Sequence, residues 1–209
     1  MVTTAQLQAI LQTLQLAERL KFELRHSYLS NGRQESVAEH TWRMALMAVL
    51  LGPYLSHPLD MEKLLKMIII HDLIEAEAGD MSALDVLRNP ALRTEKVARE
   101  QQAIENLRRV LGAPVGEEVH RLWYEFEDKH TYEAKVANAI DKLEVQLQHN
   151  HADFNTWEEI EYDMSYMMDP HVGFDPVMQQ LKDLIEQQAE AKMQAAGVDV
   201  ATVRARVQG

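Results

Sequence analysis

The sequence predicts an all-α, single-domain protein, and three observations predict it. Apolar residues recur at helical spacing along almost the whole chain, and no segment reads as a strand. Helix breakers are scarce, with 8 glycines and 6 prolines in 209 residues. Hydrophobic residues make up 46% of the chain, enough for one sizeable core. Plentiful Leu, Ala, Met, Glu and Gln favour helix over sheet.

Seven to eight helices follow in order. Leu7, Ile10, Leu11 and Leu14 form an apolar stripe, predicting a first helix over about 4–20. A turn signal stands at Asn31-Gly32. Ser36 and Glu39 read as a capping box that opens a second helix, ending near Gly52-Pro53 and holding His40 in its first turns. Asp60 caps a third helix. Its middle, Leu64 to Ile74, is apolar nearly all round, the mark of a buried central helix, and Gly79 is its stop. A fourth helix covers about 94–111, and Pro114 opens a fifth carrying Val119, Leu122, Trp123 and Phe126. A sixth, about 131–149, puts Val136, Ile140, Leu143 and Leu147 on one face. Thr156 and Glu159 read as a second capping box for a seventh helix, and Asp175-Pro176 begins a last one reaching about Ala196. The domain is read as residues 1–196, followed by a loosely ordered tail over 197–209.

Composition removes several function classes. The formal net charge is -12, which argues against a long nucleic-acid partner, because duplex binding depends on many cation–phosphate contacts. A small phosphorylated substrate remains compatible with a few local cations. The chain has no cysteine, hence no disulfide framework and no thiolate metal site. No apolar run reaches the roughly 18–20 residues that span a bilayer. The N-terminal residues lack the basic start and cleavage site of a signal peptide. A cytoplasmic, non-membrane protein is the default expectation.

The most informative dipeptide is His71-Asp72, set between Met67-Ile-Ile-Ile70 and Leu73-Ile74. An ionised Asp in such surroundings is costly unless it is paired or bound to a cation. The residue pattern allows a hydrogen-bonded core pair, but the adjacency of both residues favours a metal site. His40 and Asp141 are candidates to complete the set. Taken alone, Asp141, between Ile140 and Leu143, reads more readily as a rim charge than as a ligand. The other histidines, among them His120, His130 and His149, lie in polar or loop contexts.

Three blocks then carry a resemblance: SVAEHTWRMALMAVLL (36–51), HDLIEAEAGD (71–80) and LWYEFEDKHTYEAKVANAIDKLEVQLQ (122–148). Over about residues 20–165 the chain resembles the HD-domain phosphohydrolases, in particular the subgroup that includes bacterial 5′-deoxynucleotidase. The resemblance implies helices around a metal cleft, often in a homodimer. It implies His40, His71, Asp72 and Asp141 as ligands and a nucleotide as the small phosphorylated substrate. Glu75 and Asp80 would be the acidic catalytic residues, and Arg25 would bind the substrate phosphate. His26 stands where the nucleotidase has a tryptophan associated with its deoxyribose preference, and Met81-Ser-Ala-Leu84 replaces a proline-containing stretch. His26 and Arg33 are further candidates on the phosphate side, and Arg33 reads equally as a structural partner of Glu35 or Glu39.

Two imidazoles and two carboxylates suit one divalent transition metal: Mn, Co, Ni, Fe or Zn. Such a site activates water for direct attack on phosphorus. Glu75, four residues beyond His71, is expected on the same helix face, where it orients water or exchanges a proton with it. Two other readings are a di-iron oxygenase that recruits His120 or His130, and a non-catalytic helical dimer that binds metal or nucleotide.

Overall fold

In the computed structural model, residues 1–81 and 83–208 are described. Twelve α-helices run in the order α1 (Thr4–Ala17), α2 (Val37–Leu51), α3 (Met61–His71), α4 (Glu75–Ala78), α5 (Ala83–Arg88), α6 (Leu92–Leu111), α7 (Val115–Asp128), α8 (Tyr132–His151), α9 (Glu159–Met164), α10 (Asp169–Val172), α11 (Pro176–Ala195) and α12 (Val200–Gln208). Eight of them are nine residues or longer, which agrees with the all-α expectation. Two short strands, β1 (Leu24–Tyr28) and β2 (Gln34–Ser36), form an antiparallel hairpin between α1 and α2. Among the described residues no helix is long and apolar enough to cross a membrane.

The central helix is α8. Ala134, Val136, Ala137, Ala139, Ile140 and Leu143 on it are fully buried. They pack against Met44 of α2, Leu64 and Ile68 of α3, Leu122 and Phe126 of α7, and Met178 of α11. Burying each larger side chain contributes roughly 1.5–3 kcal/mol. By contrast α3 buries only a stripe, Leu64, Met67, Ile68 and His71, and leaves Ile69 58% exposed. Its near-continuous apolar run therefore does not make it the most buried helix. The small residues Ala134, Ala137 and Ala139 let partners approach α8 closely, and hydrophobicity along the sequence does not register that.

Local chemistry explains the site-bearing ends. The Ser36 side chain accepts from the Glu39 amide, and the Glu39 carboxylate accepts from the Ser36 amide at 2.9 Å. This capping box fixes the start of α2 and turns Val37, His40, Met44 and Met47 inward. The helix expected to run on to Gly79 stops instead at His71. Asp72 leaves helical geometry at φ -97° and ψ 4°, and a turn leads into α4.

Other elements depart from expectation. The hairpin was legible only as its turn, at Gly32 with φ +83°. Its strands have five and three residues with an irregular register, too short for alternation to show. The box before α9 is formed by Glu158 and Glu161, while Thr156 ends a 3₁₀ turn. The segment expected as a loose tail contains α12. Asp199 accepts from the Ala201 and Thr202 amides, and Val200 and Val203 pack with Met193, Trp157 and Tyr166.

Candidate metal centre and its cavity

Four side chains from three helices and one turn converge beneath a cavity. His40 comes from α2, His71 from the last turn of α3, Asp72 from the turn after it and Asp141 from the middle of α8. The Nε2 of His40 lies 3.3 Å from Asp141 Oδ1 and 3.8 Å from Asp72 Oδ2, and the Nε2 of His71 lies 3.1 Å from Asp72 Oδ2. Ligand atoms of His40, His71 and Asp72 all fall within 4.8 Å of one another.

The far nitrogens explain this orientation. His71 Nδ1 donates to the Ile68 carbonyl at 2.6 Å, and His40 Nδ1 faces the buried Glu144 carboxylate. With the protons assigned to Nδ1, both Nε2 lone pairs point at the two carboxylates. Both Nε2 atoms are buried without a hydrogen-bond partner among the described residues. Two orphaned imidazole nitrogens facing two carboxylates, each imidazole held from behind, fit a divalent cation. Burial would raise Asp72 and Asp141. The His71 imidazole and Arg25 outweigh it at Asp72, and Lys142 with His40 outweighs it at Asp141, so both sit well below the usual carboxylate range.

Above the four residues lies a cavity of about 240 Å³. Asp72 and Asp141 reach its surface, together with Arg25, Glu75, Asp80 and Lys142. Another part of its wall is apolar, formed by Met164, Met167 and Met168. The donor set is therefore open on one side, as a reactive site requires and a purely structural one does not.

Arg25 enters from β1, its Nη1 3.4 Å from Asp72 Oδ2. Burial opposes its charge, but Asp72, Asp80, Asp141 and Glu75 outweigh burial and raise its pKa above the usual value. A permanently charged guanidinium on a cavity wall can bind a phosphate through two parallel N–H groups. Glu75 does not share a helix face with His71, because the helix has ended. The turn brings it into the cavity as the first residue of α4, buried and with Oε2 lacking a hydrogen-bond partner among the described residues. Burial, then Asp72 and Asp80, pushes its carboxyl well above the usual range. Asp80 is raised chiefly by burial.

Arg33 does not join the site. It lies exposed on the hairpin and pairs with Glu39 through Nη1 at 3.0 Å and Nη2 at 2.6 Å. His26 does line the cavity, but its Nε2 is engaged by Glu161 Oε1 at 3.1 Å. That hydrogen bond raises His26 above the ordinary histidine value against the effect of burial. The Nε2 of His149 lies 3.1 Å from the same oxygen and 3.2 Å from Ser27 Oγ. Since both contacts use one nitrogen, Ser27, His149 and Glu161 do not form a nucleophile relay, which needs opposite ring nitrogens. His120 bonds Glu105 at 2.8 Å and His130 is exposed, and neither lines the cavity.

Sequence reasoning missed the groups behind the candidate ligands. Glu144 and Arg43 each lie three residues beyond a candidate ligand, Asp141 and His40, and three-residue spacing shares a helix face. That spacing was the available signal. Glu35, Glu161 and the methionine wall left none, because they reach the site only through tertiary packing.

Comparison with known proteins agrees with this geometry. A family model described as HD domain matches residues 17–194. The chain is 33% identical over 146 residues to the 5′-deoxynucleotidase HDDC2 of Dictyostelium discoideum, covering 66% of this chain and 74% of that protein. It is 30% identical over 142 residues to the Homo sapiens protein of the same name, covering 67% and 66%. Among solved structures it is similar to a predicted metal-dependent phosphohydrolase from Magnetospirillum magnetotacticum, with a TM-score of 0.77 and 25% identity over 93% of this chain and 98% of that one. A conserved hypothetical protein from Pyrococcus furiosus shares the fold, with a TM-score of 0.63 and 24% identity over 86% and 99%. With Asp72 lining the cavity, His71 paired to it behind, and a family match over most of its length, the chain belongs to the HD-domain family.

Proposed function

We propose that the protein is a metal-dependent phosphomonoesterase that hydrolyses nucleoside 5′-monophosphates, with His40, His71, Asp72 and Asp141 as metal ligands. One observation carries the reading: two orphaned Nε2 atoms face two carboxylates that line a cavity, and a half-buried, charged arginine stands on its wall. The relatives named as 5′-deoxynucleotidases point to a nucleotide, and a 240 Å³ cavity with a methionine-lined wall suits a flat base.

A divalent cation at the four ligands supplies Lewis acidity toward a phosphoryl oxygen and lowers the pKa of water. The chain's own residues do the rest. Arg25 holds the phosphate by its guanidinium edge and stabilises the charge that develops on it. Glu75 keeps a proton at its carboxyl in this buried, acidic surrounding. As the water oxygen bonds to phosphorus and the phosphorus–O5′ bond breaks, Glu75 delivers that proton to O5′ and takes one back from the former water, giving nucleoside and hydrogen phosphate with the carboxyl restored. Asp80 borders the same space and orients water or the leaving group. The metal is one of Mn, Co, Ni, Fe or Zn, and we place the enzyme in the cytoplasm as a homodimer that uses the exposed apolar face of α2.

The test is release of inorganic phosphate from a panel of nucleoside 5′-monophosphates by metal-stripped protein resupplied with each cation. His71→Ala and Asp72→Ala are expected to lose metal and turnover together. Arg25→Ala should keep its metal and lose kcat/KM. Full metal content and turnover in His71→Ala would overturn the site.

A further inference from the structure

Behind the ligands lies a row of buried charges that the reaction as described does not use. Glu144 on α8 and Glu35 on β2 are almost fully buried. The Glu144 carboxylate faces His40 Nδ1 with one oxygen and accepts from Arg43 Nε at 2.6 Å with the other. Arg43 Nη2 lies 2.5 Å from Glu144 and 3.8 Å from Glu35 Oε1. Glu35 Oε2 in turn lies 3.9 Å from Arg25 Nε. Both of these last atoms are buried without a hydrogen-bond partner among the described residues.

Such a cluster has a cost. Each buried ion loses several kcal/mol of solvation, and apolar side chains of the same size often stabilise a core equally well. Two carboxylates and two guanidiniums spread over β1, β2, α2 and α8 are therefore poorly explained by stability alone. Their arrangement suits another purpose. One end of the row holds the back of a metal-ligand imidazole, and the other faces the back edge of the phosphate-binding guanidinium.

We propose that Glu35, Arg43 and Glu144 are positioning residues forming one buried charge bridge, which fixes His40 and Arg25 relative to each other. Glu144 holds the His40 proton on Nδ1 and so keeps Nε2 aimed at the cation. Glu35 engages the Nε edge of Arg25, leaving its Nη groups for the cavity. Arg43 touches neither cation nor phosphate, but it neutralises and aligns both carboxylates. The inference rests on the proposed metal and phosphate sites, and it predicts that disturbing Arg43 reaches both.

The test uses full-length, metal-stripped protein and two probes that need no turnover: Co²⁺ by titration calorimetry, and inorganic phosphate binding to the Co²⁺-loaded protein. Glu144→Gln keeps the shape of the side chain and should weaken Co²⁺ by about 10–100-fold, the usual effect of losing an outer hydrogen-bond partner. Glu35→Gln should leave Co²⁺ affinity near wild type and weaken phosphate. Arg43→Met should weaken both, and Arg43→Lys should recover part of each loss while melting like wild type. The inference is overturned if Arg43→Met and Arg43→Lys keep both affinities and change only melting temperature, because Arg43 would then be a structural ion. Wild type that binds Co²⁺ and phosphate but hydrolyses no nucleotide would remove the proposed activity and leave the bridge standing. Wild type that binds neither probe removes the sites themselves, and the bridge with them.

Discussion

At the scale of single residues, Glu75 bears the clearest prediction. Among the protein groups, burial and the neighbouring Asp72 and Asp80 raise its carboxyl, so the protonated form dominates to higher pH than usual. An acid of this kind is active below its pKa, and the rate falls as pH rises through it. Glu75→Gln should keep fold and metal, lose about 10²–10⁴-fold in kcat, and lose the alkaline limb of the pH–rate profile. Loss of metal instead would make Glu75 a ligand, and a near-normal rate would remove its catalytic role. His26 gives a second test. A small imidazole engaged by Glu161 leaves more room beside the sugar than the indole found in the resembled nucleotidase. Comparable kcat/KM for AMP and dAMP is expected, and a large preference for dAMP would place the exclusion of ribose on another side chain.

At the scale of elements, the hairpin must be held against the helices for Arg25 to stay in place. His26 on β1 reaches Glu161 on α9, an ion pair only while His26 is protonated. Its folded pKa is raised, so the stabilisation is fully present below about pH 6.5, the ordinary histidine value. It fades as pH rises through the higher folded value. Glu161→Gln should therefore lower the melting temperature more at pH 6 than at pH 9, and an equal loss at both would show that the pair contributes nothing as ions. The elements also show what the sequence made legible. Helix starts at Ser36, Asp60 and Asp175 were readable because the capping side chain lies within three residues of its amide. The candidate pair was visible because His71 and Asp72 are adjacent in an apolar run. The break after His71 was not, since helical periodicity continues through Leu73 and Ile74 even though the backbone turns. Nor was the link from β1 to α9, which joins residues 135 apart in sequence. Arg33 is the case where the sequence left two readings open, phosphate or a pair with Glu35 or Glu39, and the structure shows the pair with Glu39.

At the scale of the whole molecule, the unspent feature is apolar surface. The stripe that announces α1 is largely outside, with Leu11 59% and Leu14 61% exposed. On α2, one face is buried around His40 and Met44, while Trp42, Leu46, Val49 and Leu50 lie exposed on another at spacings of four, three and one. A contiguous face of this kind marks an association surface, and the proposed homodimer buries the α2 face against its copy. A stable interface of this class covers roughly 800 Å² on each partner, so Ile69 of the adjacent α3 should belong to it as well. Charge opposes the pairing, because each chain carries -12 and two copies repel. Salt screens that repulsion over about 8 Å at physiological ionic strength, so the dimer should tighten as salt rises. Sedimentation equilibrium on wild type is expected to give twice the chain mass, with dissociation favoured at low salt. Leu50→Glu should give a folded monomer, since it places a charge on each side of the two-fold contact. All four proposed ligands and Arg25 come from one chain, so that monomer should bind Co²⁺ and turn over as wild type does. Wild type that sediments as a monomer at high salt and high concentration would sink the dimer, and a Leu50→Glu monomer without activity would show that the cavity needs its partner after all.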